Sequence, residues 1–406
     1  MRISTANSYD NTVSLLARRQ AELASQQEQI ATGKRVQKPS DDPVAATLAE
    51  TAQNRLSRTQ ADLRALETAR SSLQQAESGL AESGELIQKV RDLLVSAGNG
   101  TYGPSEREDI ARQLEGLREQ LIGVANLKDN SGRTLFGGLG GAATPFVDMY
   151  DPGGNGVQFY GQRGQAAAGN TSLPQTLDGN AIWMRVPQGN GSFTIDLAAG
   201  NTGNVSTSVG EVTNPGALTG DDYRIDFADV AGVRQYTVTN LTTPAANPMP
   251  GQTGVPYTAG MTIEFDGQSL RLNGQPAVGD QIELAPAGRT DIFSTVQDAV
   301  NALRDTSANS GAVRNQALAR SMTELDAGHD RVLLARGRAG EWLNRADSLD
   351  TLLEDRGVDL KAEKSRLEDL DLVQGISDFQ TQQLGLEAAL KSYAQVQRLS
   401  LFQVIN

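Results

Sequence analysis

The sequence predicts an α+β protein: an antiparallel coiled-coil helical rod, formed by the N- and C-terminal halves of the chain, with an inserted all-β domain. Three observations predict it. Long polar segments with a thin apolar stripe at steps of three and four open and close the chain, the spacing that keeps one face of a helix against a partner helix. Between them, residues 137–286 hold 25 of the 42 glycines and 11 of the 14 prolines, with short alternating apolar runs that read as strands between turns. Finally, only 38% of the 406 residues are hydrophobic and 5% aromatic, too little for one large core and suited to helices that bury a stripe and wet the rest.

Residues 1–43 form an N-terminal assembly arm and elbow. Tyr9, Val13, Leu16, Gln20, Leu23, Gln27 and Ile30 follow steps of four and three, so the stripe carries two glutamines, and a polar group on a seam fixes register and partner number. The helix is expected to stop near Gly33, where Lys34 and Arg35 follow to meet the exposed carbonyls. Pro39 and Pro43 then push the residues before them out of helical geometry. Asp41 and Asp42 sit between them, with Asp42 placed to cap the next helix and Pro43 to start it.

The N-terminal rod helices span 44–136. Leu66, Leu73, Leu80, Ile87 and Leu94 recur every seven residues, beside a smaller row of Ala69, Ala76, Ser83 and Val90 that permits close packing. After a turn at 98–104, Ile110, Leu114, Leu117, Leu121 and Val124 mark a second amphipathic helix, which fails at Asn130-Ser131-Gly132. The inserted β domain, 137–286, has expected strands at 182–186, 193–197, 223–227, 235–238, 261–265 and 281–284. It carries 13 acidic and 5 basic residues, so most of the net charge of -13 projects here. Thr290-Asp291 is expected to cap a helix with Ile292, Val296, Ala299 and Leu303 on one face. The C-terminal rod helices, 287–358, continue with a long stripe of Leu318, Met322, Leu325, His329, Val332, Arg336, Ala339, Leu343, Ala346, Asp350 and Leu353, and Gly357 is expected to end it. The C-terminal assembly arm, 359–406, carries Leu372, Ile376, Phe379, Gln383, Leu386, Leu390 and Tyr393 at the same steps as the front stripe.

Composition and motifs exclude several classes. The negative charge argues against nucleic acid, which needs a basic footprint. No cysteine is present, so neither disulfides nor thiolate metal ligands enter. No apolar run reaches the length of a membrane span, and the start lacks the apolar core of a cleaved signal peptide. His329 is the sole histidine, which removes two-histidine metal sites, and its place on a heptad stripe reads as packing. The pair Asp41-Asp42 reads as helix capping, which explains both residues, rather than as paired catalytic acids. Thr32-Gly33-Lys34 lacks the glycine and hydroxyl spacing of a phosphate loop. No catalytic residue, cofactor site or metal site is expected, and the chain reads as a non-enzyme.

Three stretches carry a resemblance: Met1-Arg2-Ile3-Ser4-Thr5, Gln29 to Val36, and Pro39-Ser40-Asp41-Asp42-Pro43-Val44-Ala45-Ala46. With Ala388-Ala389-Leu390, Ser392-Tyr393, Gln395-Val396 and Leu399-Ser400-Leu401-Phe402 at the other end, they resemble the flagellar hook-associated protein 3 family. These are the hook-filament junction proteins of the bacterial flagellin superfamily. Arg133-Thr134-Leu135-Phe136-Gly137-Gly138, Gly279-Asp280 and Asn344-Arg345 extend the likeness, although family members tend to have tyrosine at position 134. The resemblance implies a structural subunit of the extracellular flagellum, assembling with itself in a ring, with the first hook-associated protein and with flagellin. It further implies export from the cytoplasm through the flagellar type III apparatus, with a chaperone on the C-terminal helix. A flagellin-like filament subunit and a secreted, stalked adhesin or carbohydrate-binding protein are the alternatives.

Overall fold

The computed structural model describes residues 2–405, apart from 101, 150–155, 166, 168–172 and 307–309, and the side chains of 2–9, 310 and 396–405 stand outside the description. Among the described residues seven α-helices occur: α1 (Arg2–Thr32), α2 (Pro43–Ala97), α3 (Pro104–Ala125), α4 (Gly179–Trp183), α5 (Ile292–Arg304), α6 (Ser310–Glu368) and α7 (Leu372–Ile405). The chain divides into two units, one of residues 1–64 with 348–406 and one of residues 65–347. Helices α2 and α6 contribute to both.

In residues 65–347 the heptad spacing becomes burial. Leu66, Leu73, Leu80, Ile87 and Leu94 are all buried, together with Ala69, Ala76, Ser83 and Val90 beside them. Each leucine of this kind contributes about 1.5–3 kcal/mol when fully removed from water. On α3, Ile110, Leu114, Leu121 and Val124 turn inward against α5. Asp291 caps α5 by accepting from Ser294 N at 2.7 Å, and the helix buries Ile292, Val296, Ala299 and Leu303. Arg304 at its end meets Glu108 on α3 at 2.9 Å and also pairs with Glu115. On α6, Leu318, Leu325, Val332, Ala339 and Ala346 are buried, His329 lies half-buried against Gly84, and the exposed Arg336 reaches Glu77 at 2.6 Å.

Three expectations need correction. Helix α3 ends at Ala125 rather than failing at Asn130-Ser131-Gly132, and the side chain of Asn126, which follows it, pairs with the backbone N and O of Phe146. Helix α6 does not stop at Gly357 but runs to Glu368. Gly357 falls on the stripe between half-buried Leu353 and buried Leu360, and one glycine costs only about 1 kcal/mol in a helix interior. The C-terminal arm helix therefore starts at Leu372 rather than near 359. The strand expected at 182–186 is instead α4 followed by a two-residue strand, Val186–Pro187. Asp178 accepts from Ala181 N at 3.2 Å, an N-cap that favours a helical turn there.

Residues 137–286 spread over two cores. Phe146, Val157, Leu177, Ile182, Trp183 and Val186 are buried with the side chains of α2, α3 and α5. Trp183 meets Phe136 and Phe146 edge-on, with ring centroids 4.6 and 5.5 Å apart. Arg118 on α3 ties this region down, donating to both carboxylate oxygens of Asp148 and, at 3.1 Å, to the carbonyl of Phe293. Gly138 is required at its position: φ is +69°, and a Cβ would stand 1.8 Å from the carbonyl oxygen of Gln162. The second core begins at Phe193. Its five-stranded antiparallel sheet has the spatial order Phe193–Leu197, Gln281–Pro286, Tyr223–Val230, Val233–Asn240, Val255–Pro256. A second group of strands gathers on Gln268–Asn273, which pairs with Thr262–Phe265, Ser206–Thr207 and Glu211–Val212. Buried Asp280 joins the loops, accepting from Thr202 N and Ala277 N at 2.7 Å each.

Candidate assembly interface

Residues 1–64 and 348–406 pair the two ends of the chain, with α1 packed along α7. On α1, Leu16, Leu23 and Ile30, seven residues apart, are half-buried, and so are Thr12 and Gln26 on one side of them. Val13, Gln20 and Gln27, on the other side, are exposed. Helix α7 repeats the arrangement. Phe379, Leu386 and Tyr393 are half-buried with Gly375, Gln382 and Ala389, while Leu372, Ile376, Gln383 and Leu390 are exposed. The expected stripe thus separates into a covered row and an open row on each helix. The reason is geometric: positions three and four away from a covered residue lie on opposite flanks of it, and one partner helix covers a single flank. The side chain of Tyr9 lies outside the described residues. Gly385 leaves space for Arg19, whose Nη1 would stand 3.2 Å from a Cβ there.

At the elbow both ends turn at the same level. Gly33, with φ at +69°, ends α1 in the left-handed conformation. The carbonyl of Gly33 accepts from Leu370 N at 2.9 Å, and Arg35 N donates to the carbonyl of Glu368 at 2.7 Å. Lys34 Nζ reaches Glu368 Oε2 at 2.9 Å, and Arg35 donates to the carbonyl of Leu367 at 3.0 Å. Asp42 Oδ1 accepts from Ala45 N at 2.9 Å, which caps α2 directly before Pro43. Asp41 instead closes the turn around exposed Pro39, its Oδ2 accepting from Lys38 N at 2.9 Å and Gln37 N at 3.1 Å. Both carboxyls are held below their ordinary range, Asp41 by the amides of Lys38 and Gln37, and Asp42 by the amide of Ala45 and then the Arg35 guanidinium.

The C-terminal half of this elbow was missed by the stripe pattern. Asp371 caps α7 by accepting from Val373 N at 3.0 Å and Gln374 N at 3.2 Å. The signal was present as Asp371 with Gln374 three residues on, the spacing of a capping box. Among the described residues no group of acidic and histidine side chains is arranged to hold a metal ion, and no helix is long and apolar enough to cross a membrane. What this geometry can do is present paired helices with one row each left open.

Residues 3–140 match the bacterial flagellin N-terminal helical region, in a chain whose two ends are helical and flank an inserted β region. Along its full length the chain is similar in sequence to flagellar hook-associated protein 3, and over 74–78% of it similar in fold to solved flagellar junction proteins. It is 27% identical over 413 residues to that protein of Escherichia coli, covering 100% of this chain and 99% of the relative. The flagellar junction protein FlgL of Legionella pneumophila superimposes with a TM-score of 0.67 at 27% identity, over 74% of this chain and 99% of that one. FlgL of Xanthomonas campestris does so with a TM-score of 0.68 at 28% identity, over 78% and 99%.

Proposed function

We propose that this chain is a structural, non-enzymatic subunit of the bacterial flagellum that forms the hook-filament junction. It stands between the first hook-associated protein and flagellin, outside the cell, after export through the flagellar type III apparatus. The observation that carries the reading is the open row on each arm. Val13, Leu372, Ile376 and Leu390 remain 43–49% exposed on helices whose other flank is covered, and apolar rows of that kind are completed by neighbouring subunits in a heterologous assembly. The glutamines Gln20, Gln27 and Gln383 interrupt these rows, where they select register by hydrogen bonding across the new contacts. The same open face on α7 suits an export chaperone, which would shield it in the cytoplasm.

Deletion of the gene tests the reading. Cells are expected to carry complete hooks without attached filaments and to shed flagellin into the medium, as seen by electron microscopy and immunoblotting. Normal filaments on the deletion strain would refute a junction role, and glycan binding by the purified full-length chain would then favour a stalked adhesin.

A further inference from the structure

In a chain of net charge -13, four arginines converge on one surface of the unit formed by residues 65–347. Arg331 on α6 lies near Arg338, about two turns further along, near Arg185, which sits between α4 and the strand Val186–Pro187, and near Arg289, whose strand pairs with Val186–Pro187. None of the four forms an ion pair with any described residue. Burial first, and then the other three guanidinium groups, push Arg331 below its ordinary pKa, which marks positive charge left without compensation. Its Nη2 donates to the carbonyl of Ala181, and its Nε is buried without an acceptor among the described residues. Arg331 and Arg338 line a cavity of about 220 Å³ with Leu334, Trp342 and Gln165. Its one lining carboxylate, Asp178, is already engaged by the amides of Ala181 and Gly164.

The opposite charge occurs in the β region. Asp221, Asp222 and Asp266 surround Tyr223, and none of the three meets a lysine or arginine among the described residues. Asp266 accepts from the Tyr223 hydroxyl at 2.7 Å, and Asp221 accepts from Asn240 at 2.8 Å. Burial, followed by the Asp266 and Asp221 carboxylates, pushes Tyr223 up to about 12. One molecule thus carries an uncompensated basic cavity and an uncompensated acidic face.

We propose that the arginine cavity of one copy receives the Asp221–Asp222–Asp266 face of an adjacent copy, as a lateral contact between subunits of the ring. The inference rests on the reading of the chain as a ring-forming junction subunit. A basic patch that meets a distinct acidic patch on the next copy is a heterologous contact, the kind that closes a ring by repetition. The guanidinium forks supply bidentate donors to carboxylates, and Trp342 and Leu334 supply an apolar wall. The contact fixes partner and register more than total affinity.

The absence of native cysteine makes the test direct. The full chain carrying both Arg338→Cys and Asp222→Cys is expressed in the deletion strain, filaments are sheared off with their junctions, and the preparation is oxidised. A ladder of covalently linked copies, absent for either single variant, is the expected result. Attached filaments without any ladder would overturn the proposal. In a second arm, Arg331→Glu with Arg338→Glu is expected to be exported normally but to lower the number of attached filaments about tenfold or more. Adding Asp221→Arg and Asp222→Arg to the same chain is expected to restore attachment. Undiminished attachment in the first variant, or loss that the compensating changes leave unrepaired, would show that the acidic face of a second copy is not the occupant. Failure of the unaltered chain to restore filaments to the deletion strain would instead refute the junction reading itself.

Discussion

Residues 65–347 and the paired arms are built from the same kind of stripe, yet they finish differently. In the first, helices α2, α3, α5 and α6 meet a dense set of partners, and Leu80, Leu114, Trp183 and Phe293 lose essentially all contact with water. In the arms, α1 and α7 have each other, and even their covered rows stay half-buried. The difference shows that a heptad stripe announces a helix that needs a partner, while the number of partners decides whether the unit is complete. Residues 65–347 are completed within the chain, whereas each arm helix keeps an open row, the row that we propose other subunits complete.

The largest expected effect comes from removing an arm. Deletion of residues 1–32 or of 372–406 is expected to abolish filament attachment while leaving the thermal midpoint of the remaining chain essentially unchanged. Calorimetry and electron microscopy of the same variants check both halves. Next come changes in the complete core: Trp183→Ala is expected to cost about 3–5 kcal/mol and Leu80→Ala about 2–5 kcal/mol in denaturant unfolding. Val13→Ala, on the open row, is expected to leave unfolding unaltered and to reduce assembly instead. If Val13→Ala destabilised the monomer as much as Leu80→Ala, the contrast between the two regions would collapse.

Smaller effects sharpen the picture. Gly138→Ala is expected to cost roughly 1–3 kcal/mol, because alanine is strained at positive φ and its Cβ meets the Gln162 carbonyl. Glu324 tests the core electrostatically. Burial raises its pKa above 4.5 despite the amide of Gly189 and nearby Arg320, so the stability present below that ordinary value is lost as pH rises through the raised one. Glu324→Gln is therefore expected to lose less stability than the parent chain between mildly acidic and neutral pH. The elbow gives the opposite sign. Asp41 and Asp42 are lowered, so their contribution is present above the ordinary carboxylate range and lost as pH falls through the lowered value. Asp42→Ala is expected to reduce the thermal midpoint modestly at neutral pH and to converge with the parent in strong acid.

The helices were legible because burial imposes a period on sequence, and Leu66 to Leu94 kept that period without interruption. The elbow was legible in its N-terminal half because Pro39, Asp42 and Pro43 act locally. Its C-terminal half was obscured by Gly357, which looks like a stop, although Leu353 and Leu360 on either side carry the helix through. Asp41 reads from sequence as a cap beside Asp42, but its carboxylate serves Gln37 and Lys38 instead, which depends on a backbone path no spacing records. The arm stripes named the right helices and both rows. Which row is covered depends on the flank from which the partner approaches, a tertiary fact. The strand at 268–273 was missed although Asp266-Gly267, a hairpin signal, joins it to 262–265; its other partners, 206–207 and 211–212, are far away in sequence.

Hydrogen exchange of the purified full-length chain tests the central claim most directly. The account predicts that backbone amides of α1 and α7 exchange far faster than those of α2 between Leu66 and Leu94, because half-covered arms open without unfolding the core. It also predicts that the arms become protected in isolated hook-filament junctions. Arm amides as protected in the monomer as those of α2 would show that the paired arms are complete by themselves, and the account would be wrong.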